Sequence, residues 1–358
     1  MGQWLAGECG NASSRTHEYG LKAKRAVGEA RKYVAEMTKT TPEEVIFTSG
    51  ATESNNLAIL GLAAAATAKG KKHIITTAIE HSAVLAPIEW LRRTAGFEVS
   101  VLPCREDGLV EPDELRKGLR STTSLVSIMQ VNNETGVVQD IQSFAAVLQD
   151  HPAFFHVDGA QGFGKEPAGS QNSRVDLLSV TAHKVFGPQG IGALIIRRSS
   201  EREVPLQPLV HGGGQERGFR PGTLPVHLIV GFGIAAKLAL RDYQAREKAN
   251  RRFRNELLGG LSGLPMTLNG AQSKVLPHVL NFSVAGVSSE AAMVALRNLV
   301  AVSNGSACSS ARYEPSHVLR AMGLSSEKLE EALRFSWCHL TPMVDWAAVK
   351  AVFEGFIS

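Results

Sequence analysis

Short apolar runs rich in β-branched residues alternate with segments of helical periodicity over most of the chain. Such runs are typical of strands in a mostly parallel sheet that is covered on both faces. The predicted strands in this part of the chain are Val45–Thr48, His73–Ala78, Phe97–Leu102, Ser124–Val131, Ala153–Val157, Asp176–Ala182 and Ile191–Ile196. Helices are predicted between them, at Asn55–Lys69 and Ser82–Thr94. This alternation predicts an α/β domain.

The pattern changes after Thr223. A long helical segment, Val226–Leu261, leads into a smaller region that mixes strands with helices. The elements predicted there are strands Val279–Val284 and Val300–Ser303 and helices Ser289–Arg297 and Val344–Phe356. We therefore predict a large domain at residues 1–235 and a small α+β C-terminal domain at residues 236–358.

Composition and charge favour an enzyme over a membrane or nucleic-acid-binding protein. Of the 358 residues, 44% are hydrophobic and 20% are charged, and the formal net charge is +4. The Lys and Arg residues are dispersed, so direct nucleic-acid binding is not indicated. The longest apolar tract, near Leu57–Ala66, is too short to cross a membrane, and the N-terminus lacks a signal-peptide pattern. The four cysteines form no C-x-x-C pair, so no metal site is predicted and a cytoplasmic location is favoured.

A lysine and an aspartate follow two of the predicted strands. Lys184 comes just after an apolar strand, and Asp158 lies 26 residues earlier at the end of another. Ligands of open α/β sheets bind at the carboxyl ends of the strands. A lysine there can form a Schiff base with pyridoxal phosphate, and an aspartate can pair with the pyridine nitrogen. Considered alone, Lys184 could be a surface lysine and Asp158 could be a helix cap. The occurrence of both residues after neighbouring strand patterns favours the cofactor.

Two other strands are followed by polar loops. The loop Thr48–Asn55 is made of small residues and opens a helix, whose N–H groups and Thr52 hydroxyl can bind a phosphate. His81 follows the next strand, where an imidazole could stack on a pyridine ring and exchange protons. A simple cap at Thr52 and a structural role for His81 are the alternatives.

The C-terminal region contributes a cysteine and an arginine. Cys308 lies among small residues in Val302–Ser310, where a thiol can be exposed and its thiolate can attack sulfur. A buried structural cysteine is the alternative. Arg334 could bind a substrate carboxylate through a two-pronged contact, and a surface arginine is equally compatible with its local sequence.

Together these segments resemble the cysteine desulfurases and selenocysteine lyases of the class V aminotransferase group, which are fold-type-I pyridoxal-phosphate enzymes. The resemblance runs from Gly10 to about Ser336. Its most specific segments are TSGATESNN (48–56), VNNETG (131–136), HVDGAQ (156–161), AHKVFGPQG (182–190), HGGGQERGFRPGT (211–223) and NGSACSSA (304–311). It implies the PLP-dependent transferase fold of type I, with a mostly parallel sheet covered by helices in the large domain.

The resemblance implies a cofactor site for pyridoxal 5'-phosphate. Its residues would be Lys184, Ala51, Thr52, His81, Asp158, Gln161, Thr181, His183 and Thr223. Lys184 would form the Schiff base, Asp158 would pair with the pyridine nitrogen, and Gln161 would bond the ring hydroxyl. Thr223 would reach the phosphate bound by the partner subunit, which implies a homodimer.

The resemblance also implies how the substrate is used. Asn133 and Arg334 would bind the carboxylate of L-cysteine. Cys308, with Lys184 and His81 as the other catalytic residues, would take the sulfur as a persulfide and leave L-alanine. An acceptor protein would then receive the sulfur for iron–sulfur cluster assembly or for sulfur modification of tRNA or DNA.

Three alternatives stand beside the cysteine desulfurase. A selenocysteine lyase would use the same fold and cofactor. A plain aminotransferase is disfavoured, because transamination needs no thiol such as Cys308. A catalytically impaired, N-terminally truncated homologue would act as a binding subunit, and the presence of Lys184, Asp158, His81 and Arg334 argues against it.

The sequence departs from the family pattern in several places. Family members have a strand and a helix before the segment that begins at Gly10, whereas nine residues precede it here. Thr181 and Pro221 stand where serine is usual or common. Trp337–His339 replaces a usual Gly-Arg pair, and the role of Cys338 within it stays open.

Overall fold

The computed structural model of the protein describes residues 1–7, 10–198, 202–304 and 315–357. The chain forms two compact units. Unit 1 comprises Met1–Leu102, Pro112–Gln130 and Asp140–Asp242, and unit 2 comprises Pro103–Glu111, Val131–Gln139 and Tyr243–Ser358. Two short segments from the first half of the sequence therefore pack with the C-terminal region. This is a division by packing, and separate domains at 1–235 and 236–358 stay a prediction.

Unit 1 is built on one large sheet. Its strands are β1 (Val45–Thr48), β2 (His73–Thr77), β3 (Glu98–Leu102), β4 (Thr123–Met129), β5 (Phe154–Asp158), β6 (Leu177–Thr181) and β7 (Gly192–Ile196). They lie in the order β1-β7-β6-β5-β4-β2-β3. Only β7 runs antiparallel to its neighbours, so the predicted mostly parallel sheet is confirmed. Strands β1, β2, β4, β6 and β7 are buried along their whole length, which explains their continuous apolar runs.

Helices precede, connect and follow these strands. They are α1 (Gly2–Ala6), α2 (Glu18–Thr38), α3 (Ala51–Ala68), α4 (Ser82–Ala95), α5 (Pro112–Gly118), α6 (Ile141–Val147), α7 (Pro167–Ser170) and α8 (Val226–Gly260). The predicted helices correspond to α3, α4 and α8. Helix α2 was not predicted, although its buried residues Ala23, Val27, Ala30, Val34 and Met37 recur every three or four positions. No helix in the described ranges is long and apolar enough to cross a membrane.

Unit 2 contains a small antiparallel sheet. Its elements are β8 (Met266–Leu268), β9 (Val279–Val284), β10 (Ala332–Ser336), α9 (Ser289–Leu296), α10 (His317–Ala321), α11 (Ser326–Glu331) and α12 (Trp346–Ile357). The strands lie in the order β10-β9-β8. The predicted strand Val300–Ser303 is wrong: Ser303 forms an isolated bridge with Arg334, and a strand requires a continuous ladder.

Candidate active site

Asp158 is the last residue of β5 and is only 5% exposed. Its Oδ2 accepts a hydrogen bond from Asn55 Nδ2 (2.8 Å), and its Oδ1 accepts one from the Ala160 backbone N–H (3.0 Å). Burial raises the pKa of Asp158, while these bonds and the charge of His81 oppose that rise. A buried carboxylate bonded by two neutral donors is well suited to receive a cation such as a protonated ring nitrogen.

Lys184 follows β6, the strand next to the one that ends in Asp158. It is half-buried in His183–Val185, a 3-10 turn directly after β6. Strands β5 and β6 are parallel neighbours with Asp158 in register with Ser179. The carboxyl ends of β5, which bears Asp158, and of β6, which precedes the Lys184 turn, are therefore adjacent. Two residues that bind one ligand must be placed in this way.

Lys165 is a second lysine near Lys184, and the sequence analysis did not single it out. Burial of its ammonium group, together with the charge of Lys184, lowers its pKa to about 7. The turn holding Lys165 approaches the Lys184 turn closely, because a Cβ on Gly164 would lie 2.9 Å from Val185 Cγ1. A lone lysine in a loop gives no sequence signal for such a neighbour.

The predicted phosphate loop forms a tight cradle at the start of α3. Gly50 has φ 155° and immediately precedes α3, whose first N–H groups have no partners within the helix. A Cβ on Gly50 would come within 3.7 Å of Thr181 Oγ1, and a Cβ on Gly192 would lie 2.7 Å from Gly50 Cα. The space beside the helix start is thus kept open by glycine, with Ala51 and Thr52 next in the chain.

His81 makes a helix-capping hydrogen bond and also lines a cavity. It caps α4, because its Nδ1 accepts the Ala83 backbone N–H (3.1 Å). In the neutral ring the proton therefore lies on Nε2. His81 also lines a cavity of about 490 Å³ whose other lining residues are Thr52, Asn56, Leu60, Ser82, Ala83, Ala86, Pro87 and Trp90. Two predicted cofactor residues, Thr52 and His81, thus share one cavity.

The remaining predicted cofactor residues also lie in unit 1. Thr181 Oγ1 is 3.0 Å from His183 Nδ1. Burial lowers the pKa of His183, as do the charges of Lys184 and Lys165, so His183 is a neutral donor or acceptor near pH 7. Gln161 is half-buried in the turn after β5, and Thr223 is exposed.

Glu80 is a buried acid that links β2 to β4. Its Oε1 accepts hydrogen bonds from Thr77 Oγ1 (2.8 Å) and from the Met129 backbone N–H (2.7 Å). Burial, with a smaller contribution from the charge of Asp158, raises the pKa of Glu80 to about 8 against the opposing effect of these two bonds. Met129 is in register with Asp158, so Glu80 lies one strand away from the predicted cofactor aspartate.

The segment 211–223, which bears Thr223, is fixed by a buried ion pair. Glu216 accepts both Arg31 Nη1 (2.8 Å) and Arg31 Nη2 (2.5 Å), and also the Phe47 backbone N–H (2.7 Å). Glu216 and Arg217 have φ angles of 48° and 58°, a strained conformation for residues other than glycine. The bonds to Arg31 and Phe47 offset this strain, and no sequence motif indicated these bonds.

The two predicted carboxylate-binding residues meet in unit 2. Arg334 lies in β10, and its Nη1 donates to the Asn133 carbonyl oxygen (3.1 Å). Arg334 Nε is buried and has no hydrogen-bond partner among the described residues. An unused guanidinium N–H beside Asn133 suits a carboxylate ligand. Cys308 lies outside the described residues.

Cys338 is half-buried, and its sulfur accepts the Leu340 backbone N–H (3.4 Å) and lies 3.7 Å from Thr341 Oγ1. The Cys338 backbone N–H in turn donates to Thr341 Oγ1 (2.8 Å). These bonds close a local turn after β10, which is a structural role.

Comparison with known proteins identifies the family. The aminotransferase class-V model matches residues 1–346. Cysteine desulfurase IscS of Vibrio campbellii is 48% identical over 338 residues, which cover 94% of this chain and 82% of that protein. The chain belongs to the cysteine desulfurases of this family.

Solved structures agree with this membership. The desulfurase is similar to DndA from Streptomyces lividans, with 49% identity, a TM-score of 0.84 and coverage of 94% of each chain. It is also similar to SspA in complex with cysteine, with 35% identity, a TM-score of 0.82 and coverage of 93% of this chain and 92% of that one. The predicted family and fold-type-I architecture are confirmed.

Enzymes of this family use pyridoxal 5'-phosphate, and the described residues of this desulfurase fit it. A phosphate fits the glycine-bounded space beside Gly50 and Thr181. A protonated pyridine nitrogen fits Asp158, whose described hydrogen-bond donors are neutral. Thr52 and His81, which would contact the phosphate and the ring, line one cavity whose volume lies in the range of small-molecule sites, and Asp158 and Lys184 are not among its lining residues.

Proposed function

We propose that the desulfurase converts L-cysteine to L-alanine with pyridoxal 5'-phosphate and transfers the sulfur to Cys308 for delivery to an acceptor protein. The observation that supports it most is the placement of Asp158 and the Lys184 turn on adjacent parallel strands. The glycine-bounded cradle at the start of α3 adds a phosphate site in the same unit. The protonated ring nitrogen of the cofactor would thereby be matched by Asp158, its carbonyl carbon by Lys184, and its phosphate by the start of α3.

The cofactor would be held by the residues that the resemblance names. Lys184 Nζ would bind it covalently, Asp158 would pair with its ring nitrogen, and Gln161 would bond its hydroxyl. Its phosphate would contact the N–H groups of Ala51 and Thr52 and the side chains of Thr181 and His183. When bound, the cofactor withdraws electrons from the substrate carbons, so that a proton and the sulfur can leave.

Proton movement would be the task of Lys184 and His81. Lys184 Nζ would take the proton from the substrate α-carbon and return protons to the product. His81 carries a proton on Nε2 because Nδ1 is engaged with the Ala83 N–H, so Nε2 is the atom able to donate it. General acid–base groups of this kind each contribute about 10²–10⁴-fold to rate.

The substrate would be oriented by its carboxylate. We propose that Asn133 and Arg334 bind it, with the unused Arg334 Nε and its neighbouring N–H forming the two-pronged contact. L-cysteine is assigned as substrate partly because the similar protein SspA has been solved in complex with cysteine.

Sulfur transfer would occur at Cys308. Its thiolate attacks the substrate sulfur, an S–S bond forms, and the C–S bond breaks. The electron pair of that bond stays with carbon, which gains a proton to become the methyl group of L-alanine. We further propose a homodimer, in which the exposed Thr223 reaches the cofactor phosphate of the partner subunit, and a cytoplasmic location.

Absorbance and product assays test this proposal. The wild-type protein mixed with pyridoxal 5'-phosphate is expected to develop a cofactor band that changes on adding L-cysteine, with release of alanine and, under reducing conditions, of sulfide. Lys184→Ala is expected to lack the band. Cys308→Ala is expected to keep the band and lose sulfide release.

Cys338→Ala is the matched control for Cys308→Ala, because it removes the other C-terminal thiol, which lies in a local turn. It is expected to behave as the wild type. Absence of cofactor binding, or absence of alanine from L-cysteine in the wild type, would show the proposed function to be wrong.

A further inference from the structure

The turn VNNETG (131–136) orients a buried carboxylate. Glu134 is only 4% exposed. Asn132 Oδ1 accepts the backbone N–H groups of Glu134 and Thr135, both at 2.9 Å, and Asn281 Nδ2 donates to the Glu134 carbonyl oxygen (3.3 Å). The backbone of this turn is therefore fixed from both sides, and the Glu134 side chain is directed by it.

The Glu134 carboxylate faces two bases and one hydroxyl. Ser316 Oγ donates a short hydrogen bond to Glu134 Oε2. Burial raises the pKa of Glu134, and Ser316, His317 and Arg334 each oppose this rise. Glu134 thus interacts electrostatically with Arg334, while the neighbouring Asn133 carbonyl accepts an Arg334 N–H. The Arg334 guanidinium therefore contacts the Asn133 carbonyl and lies within electrostatic range of the Glu134 carboxylate.

The same residues hold the chain on either side of the segment that contains Cys308. Ser303, before that segment, exchanges backbone hydrogen bonds with Arg334 (3.2 and 2.5 Å). Ser316, after it, caps α10 and donates to Glu134. Both flanks of residues 305–314 are therefore attached to residues next to the carboxylate-binding pair.

Building on the proposed desulfurase function, we propose that Glu134 is a positioning residue for two steps of the reaction. Its negative charge orients Arg334 toward the substrate carboxylate. Through Ser316, it also fixes the chain that follows the Cys308 segment. One buried acid would thereby serve both substrate binding and sulfur transfer, and the two effects can be separated by substitution.

Glu134→Gln keeps the size of the side chain and removes its charge. In the holoenzyme it is expected to raise KM for L-cysteine on the order of tenfold and to weaken L-alanine binding by a similar factor, because both ligands present the same carboxylate to Arg334. Cofactor absorbance is expected to stay as in the wild type, since the proposed cofactor residues are others.

Ser316→Ala keeps the charge of Glu134 and removes the bond to it. It is expected to lower kcat and the rate of persulfide formation severalfold, with KM within about twofold of the wild type. Ser325→Ala is the matched control. Ser325 caps α11 as Ser316 caps α10, with a bond from the Lys328 N–H (3.4 Å), and it belongs to no proposed site.

Three results would contradict the proposal. One is a change of less than about twofold in both KM and L-alanine affinity for Glu134→Gln. The second is equal kinetics of Ser316→Ala and Ser325→Ala. The third is a loss of activity that is fully explained, in every variant, by its lower thermal stability. If the wild type forms no alanine from L-cysteine, the proposed function fails, yet L-alanine affinity, measured by calorimetry, still decides the role of Glu134.

Discussion

Glu80 keeps its proton at neutral pH, because burial raises its pKa from 4.5 to about 8. Two neighbouring buried carboxylates repel each other when both are ionised. A proton on Glu80 therefore favours the ionised form of Asp158. Below pH 4.5 both folded and unfolded Glu80 are protonated. Between that pH and about 8 only the unfolded form ionises, so the free energy of unfolding falls as pH rises.

Glu80→Gln is expected to remove this fall in the free energy of unfolding with rising pH. Urea unfolding of the apoprotein at several pH values between 5 and 8 should show a wild-type slope steeper by up to about 1.4 kcal/mol per pH unit. Glu36→Gln, on the exposed surface of α2, is the control and should leave the slope unchanged. Parallel slopes for wild type and Glu80→Gln would mean that Glu80 is ionised in the folded protein.

At the level of elements, the cradle depends on how closely β7 approaches the loop before α3. A Cβ on Gly192 would lie 2.7 Å from Gly50 Cα. Gly192→Ala is therefore expected to push that loop into the phosphate space, to lower stability by about 1–3 kcal/mol and to weaken pyridoxal-phosphate binding on the order of tenfold. A fluorescence titration with the cofactor and a thermal scan measure the two effects.

Gly28→Ala is the matched control, because a Cβ there meets nothing within 4 Å. Gly28 lies inside α2, where alanine is the better helix former, so a stability gain of up to about 1 kcal/mol and normal cofactor affinity are expected. If Gly192→Ala bound the cofactor as tightly as Gly28→Ala, the cradle would not depend on this close approach.

Strands that are buried along their whole length were predictable from the sequence. Elements whose packing or pairing partners lie far away in the sequence were not. Strands β1, β2, β4, β6 and β7 are buried along their whole length, and their apolar runs predicted ends within two residues of the observed ones. Helix α2 was missed although its buried residues recur every three or four positions, which is the spacing of a helix. Strand β10 was missed as well, since its pairing with β9 joins residues distant in sequence.

At the scale of the whole molecule, the Arg31–Glu216 ion pair joins α2 and β1 to the segment that bears Thr223. Removing one partner of a buried pair leaves the other charge uncompensated. Glu216→Gln is expected to lower the free energy of unfolding by about 3 kcal/mol and to shift the proposed dimer toward monomers. Urea unfolding and sedimentation measure these outcomes.

The exposed ion pair of Glu89 with Arg92 provides the control. Glu89→Gln is expected to leave stability nearly unchanged, because solvent screens that pair. Equal losses for Glu216→Gln and Glu89→Gln would contradict a special role for the buried pair.

The family motifs contain most residues of the candidate site, and the contacts that support these residues emerged only from the fold. Asp158 ends a strand, and Lys184 and His81 follow strands, so their position in the sequence already indicated a shared edge. Glu134 and Glu216 lie inside quoted motifs, but their hydrogen bonds to Ser316 and Arg31 join residues far apart along the chain. A motif taken by itself does not indicate such contacts.

The chain passes from one unit to the other several times, at Leu102, Glu111, Gln130, Gln139 and Asp242. A fragment beginning at Tyr243 would lack Val131–Gln139, and with it Asn133 and Glu134. Arg334 would then lose the carbonyl that orients it. Recombination between related genes at a single point could not exchange unit 2 intact, so its three segments must have been inherited, and must be redesigned, together.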